Sequence, residues 1–166
     1  MLKQLGLFLG ILFILILTSP QGLGAGEIYQ GTVSAVSDGD TITLLTKDYE
    51  RIKVRFYGVD APEKKQPGGA EAKAALVQLI DQRQVEVEEI DTDRYSRLVG
   101  LVRFKGELIN LTLVQEGHAW LYPQYCKIKG VCADIAKAEK TAKNRGLGLW
   151  AKDNPIAPWR WRKGDR

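Results

Sequence analysis

Acidic and arginine side chains cluster at places where the sequence predicts that β-strands end. Asp40 follows an Asp-Gly turn, and Asp60 and Glu63 stand three residues apart around a proline at the end of a later strand. Arg55 lies on the polar side of that strand, and Arg97 ends a charged segment between two further strands. Carboxylates can bind a hard cation or accept a proton from water, and guanidinium groups fork onto phosphate oxygens. These residue types together predict metal-assisted attack on a phosphate.

Each of these residues alone has a simpler explanation. A tight hairpin favours the Asp-Gly pair, and isolated acids and arginines are ordinary on a solvated surface. His118, the only histidine, suggests a general base, but the acids already fill that role. It is the joint occurrence of three acids and two arginines at strand ends that favours catalysis.

Short strands interspersed with helices must position these residues. Alternating apolar side chains predict five strands, at residues 27–36, 41–45, 51–59, 85–90 and 98–104. Apolar stripes at helical spacing predict helices at 70–83 and 132–144. A further helix is predicted at 110–116, with Asn110 as its N-cap and Gly117 as its C-cap. One helix inserted after the third strand predicts an α+β fold that is mainly a β-barrel: a five-stranded Greek-key OB-fold barrel with about three helices.

The N-terminus has the layout of a secretory signal. Lys3 precedes an apolar run over residues 5–17, and small residues follow at 22–26. The run is shorter than the ~20 residues of a spanning helix, although a retained membrane anchor stays an alternative. We expect residues 1–25 to be a signal peptide and the protein to be exported, to the periplasm or the extracellular space.

The composition allows one folded domain. The chain has 166 residues, 45% of them hydrophobic and 27% charged, which excludes a disordered chain and leaves no room for two ordinary domains. A net charge of +4 permits a polyanionic partner without requiring one. We expect the domain to cover residues 27–152. A basic Trp/Arg tail, 153–166, is either an additional strand-binding patch or, for its last residues, a disordered end.

Two cysteines, Cys126 and Cys132, are separated by a loop-like segment. In an exported protein an even count at short spacing predicts one local disulfide. Free thiols are the alternative, and a zinc site is disfavoured because two cysteines and one histidine do not complete its tetrahedral shell.

Three segments resemble the signature motifs of the staphylococcal nuclease family. They are VSDGDT at 36–41, VRFYGVDAPE at 54–63 and DRYSR at 93–97, in the order and spacing usual for that family. The similarity continues through LVQEGHA at 113–119 and GLGLW at 146–150, and so covers nearly the whole chain after the signal segment.

The resemblance implies a Ca²⁺-dependent phosphodiesterase that acts on DNA and RNA and leaves 3′-phosphate and 5′-hydroxyl ends. By the same resemblance Asp40 and Asp60 would bind Ca²⁺ through their carboxylates, and Ala61 through its backbone carbonyl. Glu63 would be the general base, and Arg55 and Arg97 would hold the phosphate. Two departures are Ala61, where the best-known member has threonine, and Ser96, where glycine is usual.

Further residues are candidates for contacts with nucleic acid. Tyr95 and Tyr122 match aromatic positions that flank the bound nucleotide in the family, and Trp120 replaces a third; packing is the alternative for Trp120 and Tyr122. Lys64 and Lys65 are candidates for contacts with flanking phosphates, and Arg94 is a candidate for pairing with a terminal phosphate; solvated surface side chains are the alternative for all three.

The main competing function is a nucleic-acid-binding module on the same fold that has lost catalysis. The presence of all five candidate catalytic and carboxylate residues favours the enzyme. No protein partner is implied, and a monomer is the default expectation.

Overall fold

The computed structural model describes residues 26–165. The signal-peptide prediction, residues 1–25, therefore lies outside the described residues. Within the described range no helix has both the length and the apolar character needed to cross a bilayer.

Five strands form a closed barrel, as the sequence predicts. The barrel strands are β1 Ile28–Asp38, β2 Thr41–Thr46, β3 Arg51–Phe56, β5 Gln84–Thr92 and β6 Leu98–Phe104. Antiparallel pairing gives the order β3-β2-β1-β5-β6, and β3 also pairs with β6 in parallel, which closes the sheet. The fold is thus an α+β, OB-fold-like barrel.

Alternation within the strands fills the barrel. Val33, Ile42, Leu44, Val54 and Phe56 are at most 1% exposed, because every second side chain of a strand points inward. Two irregularities in the pairing of β1 with β2 interrupt this regular pattern. Such bulges bend a strand and increase its twist.

Three strands of two residues each were not predicted from the sequence, because two residues are too few to show alternation. They are β4 Val59–Asp60, β7 Glu107–Leu108 and β8 Trp120–Leu121. β4 pairs with β8 in a small separate sheet, so that Asp60 lies opposite Trp120. This pairing fixes the chain after β3 against β8.

Three of the four α-helices in the described residues lie roughly where the sequence predicts them, and the fourth, in the tail, was not predicted. They are α1 Gly69–Ile80, α2 Ile109–Gln115, α3 Lys129–Asn144 and a one-turn α4 Pro158–Trp161, with short 3₁₀ turns at Pro123–Tyr125 and Gly148–Ala151. In α3 the expected stripe of Ile135, Ala138 and Ala142 is buried. Residues in and around α4 contact the domain, through Ala157, Trp159 and Arg162.

Asn110 is not the N-cap that the sequence predicts. The helix begins one residue earlier, and Asn110 is fully buried inside it. Its side-chain oxygen accepts a hydrogen bond from the Val102 amide, and its nitrogen donates to the carbonyls of Tyr57 and Gly100. Asn110 thus joins α2 to the region where β3 ends beside β6, a role that requires the tertiary structure to be recognised.

Cys126 and Cys132 form the predicted disulfide, with Cα atoms 5.7 Å apart. The bond closes the loop before α3 and lies against Gly58, where a Cβ would come within 2.8 Å of the Cys126 sulfur. The buried Tyr57 hydroxyl accepts hydrogen bonds from the amides of Lys127 and Ile128, inside the same loop. The loop is therefore held both covalently and by the end of β3.

Candidate active site

A cleft of about 570 Å³ lies beside the β1–β2 hairpin, the end of β3 and the β5–β6 loop. Most of the residues that the sequence singles out meet there. The predicted site residues lining it are Asp40, Arg55, Asp60, Ala61, Glu63, Arg94, Tyr95, Arg97 and Tyr122. A second surface cavity at the other end of β1 contains none of them.

Asp40 and Asp60 form the floor of the cleft and share one arginine. Arg55 places one terminal nitrogen 2.9 Å from Asp40 Oδ2 and the other 2.8 Å from Asp60 Oδ1. The two carboxylates are 6% and 1% exposed, so both lie within reach of a single cation in a nearly dry position. The strand pairing explains the geometry, since Arg55 lies opposite Thr41, the residue next to Asp40.

One backbone amide and one hydroxyl group fix the Asp40 carboxylate. The Ala61 amide donates to Asp40 Oδ2 at 2.6 Å, and the Thr41 hydroxyl donates to Asp40 Oδ1 at 3.1 Å. The Asp40 amide in turn donates to the side chain of Asp38 across the turn. The hairpin and the segment after β3 are therefore tied together at the acid itself.

Burial dominates the electrostatics of both acids. It raises the pKa of Asp40 to about 7, although the charge of Arg55 works in the opposite direction. Burial likewise raises the pKa of Asp60, against the hydrogen bond from Arg162 and the charge of Arg55. Two acids held apart from water with partial compensation are poised to take up a cation or a proton.

Arg97 lines the cleft but is bound to a neighbour. Its Nε and Nη2 both lie 2.7 Å from Asp93 Oδ2. Asp93 Oδ1 also accepts from the amides of Tyr95 and Arg97, so one carboxylate organises the whole turn. Burial raises the pKa of Asp93, but these hydrogen bonds outweigh it and leave the pKa below its usual value. Ser96 in the turn has φ 57°, the left-handed conformation that glycine adopts freely.

Arg162 is a site residue that the sequence analysis did not find. It reaches Asp60 through Nη2–Oδ2 at 2.8 Å and Nη1–Oδ1 at 3.2 Å, and it contacts Glu63 through Nη1–Oε1 at 2.8 Å. No motif marks it, and it lies 102 residues from Asp60. Only the basic character of the tail could have suggested it.

The aromatic candidates separate into two groups. Tyr122 and the exposed Tyr95 line the cleft, and Arg94 and Arg97 lie over the Tyr95 ring at 4.8 and 5.5 Å. Trp120 is 5% exposed and meets Trp150 edge-on at 5.0 Å, away from the cleft lining. For Trp120 the structure thus favours the packing alternative over base stacking.

The remaining candidates lie outside the cleft. Lys64 and Lys65 are exposed and do not line it. His118 is partly buried near Glu116, which is 3.8 Å away, and burial lowers its pKa. Contacts of the two lysines with phosphate stay a prediction.

The donor set fits a hard cation that keeps water ligands. Across residues 26–165 no group of three or more His, Cys, Asp and Glu side chains is arranged to hold a metal by itself. Asp40 and Asp60, bridged by one guanidinium, provide two buried carboxylates for the same cation. Calcium and magnesium both accept such oxygen ligands and complete their shells with carbonyls or water.

Comparison with known proteins agrees with this arrangement. A family model described as "Staphylococcal nuclease homologue" matches residues 53–152. The chain is 40% identical over 134 residues to an uncharacterized endonuclease of Haemophilus influenzae, covering 81% of this chain and 73% of that protein. It is 36% identical over 163 residues to Protein ParB of Escherichia coli, with 92% and 87% covered. It is 37% identical over 147 residues to a micrococcal nuclease of Shigella flexneri, with 83% of each covered. The chain therefore belongs to the staphylococcal nuclease family, and it is a hydrolase of the nuclease class.

Proposed function

We infer that this nuclease depends on Ca²⁺ and hydrolyses the phosphodiester bonds of both DNA and RNA to 3′-phosphate and 5′-hydroxyl ends. The observation that carries the inference is the pair of buried carboxylates, Asp40 and Asp60, bridged by Arg55 in one cleft with Glu63 and Arg97. The family resemblance of the three motifs supports the same metal and the same products.

The residues of the chain would divide the work as follows. Asp40 and Asp60, with the Ala61 carbonyl, would hold the cation, whose positive charge offsets the charge that develops on the phosphoryl oxygens. Glu63 would accept a proton from the water that attacks phosphorus. Arg55 and Arg97 would each hold phosphate oxygens through a planar fork without giving up a proton.

The direction of bond cleavage is the one that the family resemblance implies. Water adds to phosphorus as the bond to the 5′ oxygen breaks, and Glu63 takes the proton that this water loses. The phosphate stays on the 3′ side, and the departing 5′ oxygen takes up a proton from solvent water. Arg97 favours this departure by stabilising charge at the phosphate. Asp93 holds the guanidinium at the cleft through Nε and Nη2.

Recognition of nucleic acid would be independent of sequence. Tyr95 and Tyr122 offer ring faces to which any base can stack, worth ~1–3 kcal/mol per base. Arg94, next to Tyr95, supplies charge for a neighbouring phosphate. These contacts suit a substrate with either sugar.

The test is cleavage of a supercoiled plasmid and of a structured RNA by the purified protein in Ca²⁺, in Mg²⁺ and in EDTA. We expect cleavage in Ca²⁺ alone, and a rate lower by about 10²–10³ for Glu63→Gln. Glu50→Gln, which alters an exposed acid in the β2–β3 turn, is the matched control. Labelling of the product ends before and after phosphatase treatment gives their chemistry.

Two results would contradict the proposal. Equal cleavage rates in EDTA and in Ca²⁺ would refute the metal requirement. Products with 5′-phosphate ends would refute the proposal that the bond to the 5′ oxygen breaks. Binding of DNA without cleavage in any metal would favour the binding-module alternative.

We also propose that the protein is exported, with residues 1–25 acting as a signal or, if retained, as a membrane anchor. The charge and apolar pattern of that segment supports this, and so does a disulfide between Cys126 and Cys132, since such bonds persist in oxidising compartments. Cell fractionation followed by N-terminal sequencing of the exported protein tests both points. A chain found only in the cytosol would refute export.

A further inference from the structure

The C-terminal segment, residues 156–165, reaches the cleft through Arg162; we call it the strap. Its first residue is fixed to the loop of the catalytic acids, because Gln66 Nε2 donates to the Ile156 carbonyl at 2.6 Å and Gln66 Oε1 accepts from the Glu63 amide. Ala157 is buried with Trp120 and Leu149 in a second small apolar cluster. The base of the strap is therefore anchored firmly to the domain.

Further along, the strap covers a ring that the proposed function assigns to nucleic acid. Trp159 stacks on Tyr122 with ring centroids 5.3 Å apart and planes inclined by 5°. This near-parallel arrangement is the one that a base would adopt on the same face. Trp159 and a nucleotide base cannot both occupy it.

The end of the strap supplies a cation to the acids. Arg162 contacts both oxygens of Asp60 and one oxygen of Glu63, while Arg55 also contacts Asp60 Oδ1. The Arg162 side chain is 40% exposed, so it enters from the solvent side and is the more readily displaced of the two arginines. Arg55, at 14% exposure and inside a barrel strand, is fixed.

We propose that Arg162 is an internal substitute for the metal ion, and that cation binding at Asp60 releases the strap and uncovers Tyr122 for nucleic acid. The inference rests on the proposed metal site. Its physical basis is that a divalent ion bound to the Asp60 carboxylate repels a guanidinium held 2.8 Å from the same group. Metal and strap then compete for one set of oxygens.

The consequence is a coupling between two ligands. While the strap is closed, the apparent metal affinity is reduced by the fraction of molecules in the open form. If the strap is closed in about nine molecules of ten, removing its charge tightens metal binding about tenfold. Metal binding in turn makes the Tyr122 face available, so metal and nucleic acid assist each other.

The first measurement is calorimetric titration of Ca²⁺ alone into the wild-type protein and into Arg162→Gln. We expect the variant to bind Ca²⁺ about tenfold more tightly. Arg160→Gln is the matched control, because it removes the same charge from a neighbouring position of the strap. Arg160 contacts Asp165 and not the acids of the cleft. The control should bind Ca²⁺ as the wild type does. Equal tightening in both variants would mean a general charge effect and would overturn the proposal.

The second measurement follows the strap itself by hydrogen exchange in the wild-type protein. We expect amides of residues 159–165 to exchange faster once Ca²⁺ is added, and those of Arg162→Gln to exchange fast with or without it. Unchanged protection in Ca²⁺ would overturn the proposal, even if the variant failed to fold.

The outcomes separate the two proposals. Ca²⁺ binding that is lost in Asp60→Asn but unchanged in Arg162→Gln would leave the calcium site standing and refute the strap. Absence of Ca²⁺ binding to the wild type and to Arg162→Gln would refute the proposed calcium site and the strap with it.

Discussion

Replacing Arg55 tests the arrangement of the cleft independently of any substrate. Arg55→Gln removes the one cation that bridges Asp40 and Asp60, at 2.9 and 2.8 Å, and leaves two carboxylates that are 6% and 1% exposed. Removing one partner of a buried ion pair typically costs ~3–5 kcal/mol, because a charge is left without compensation. Arg162 still faces Asp60, so we expect the lower end, about 3 kcal/mol.

The cost should depend on pH in a defined direction. Burial has already raised the pKa of Asp40 to about 7, and losing Arg55 raises it further. Below that pH the Asp40 carboxyl group is neutral, so the charge of Arg55 stabilises it less. The difference in unfolding free energy between wild type and variant should therefore be large at pH 8 and small at pH 5.

Arg55→Lys separates charge from geometry. An ammonium group retains the charge but cannot present two fixed nitrogens to two carboxylates, so we expect a loss of ~1–2 kcal/mol. Phosphodiester cleavage should nevertheless fall by about 10²-fold, because the planar fork is lost.

Urea unfolding followed by circular dichroism at both pH values gives the free energies, and plasmid cleavage at a temperature where each variant is folded gives the rates. Arg51→Gln, an exposed arginine on the same strand, is the control and should change neither. An Arg55→Gln protein with wild-type stability at pH 8 would refute the bridged-carboxylate reasoning.

Three further changes have expected outcomes. Ser96→Gly should raise the free energy of unfolding by up to ~1 kcal/mol, since Ser96 adopts φ 57°, and thermal unfolding checks this; a clear loss of stability would contradict it. Replacing Cys126 and Cys132 by serine should cost on the order of 2 kcal/mol and increase proteolysis of the loop between them, while an unchanged melting temperature would count against a stabilising bond. Because the pKa of Asp40 is raised to about 7, the metal-free protein should lose stability as pH rises from about 4 to 7, and Ca²⁺ binding at pH 6 should release about one proton. Calorimetry in buffers of different ionisation enthalpy measures that proton, and no buffer dependence would refute the shift.

Local patterns were sufficient for the barrel because each of its long strands carries its own alternation. The inward positions of β2 and β3, such as Ile42 and Val54, are read from a few neighbours in sequence. The positions of the acids and arginines could be predicted for the same reason, since these residues lie close in sequence to the ends of those strands. Asp40, Arg55 and Asp60 thus meet where their strand ends predict.

What escaped prediction depends on contacts between distant segments. Asparagine is a common helix N-cap, so the sequence predicts that role for Asn110. Its actual role, hydrogen bonding to Val102 and Gly100 from a buried position, depends on the tertiary structure. The burial of Trp120 comes from Trp150 and the strap, which lie far from it in sequence. The local sequence therefore did not show that Trp120 packs in the interior. Arg162 has no local signal, because the carboxylates that hold it lie about a hundred residues earlier.

The closing of the barrel has a consequence for the order of events during synthesis. β3 and β6 pair in parallel, with Arg55 opposite Val99, so the cleft is completed only when a strand from the second half of the chain is inserted. Protein synthesis delivers the N-terminal half first. A growing chain that ends before residue 98 carries Asp40, Asp60 and Glu63 but has no closed wall to hold them. The active site therefore forms only when the fold is complete. An unfinished chain carries the acids but lacks the closed barrel that positions them.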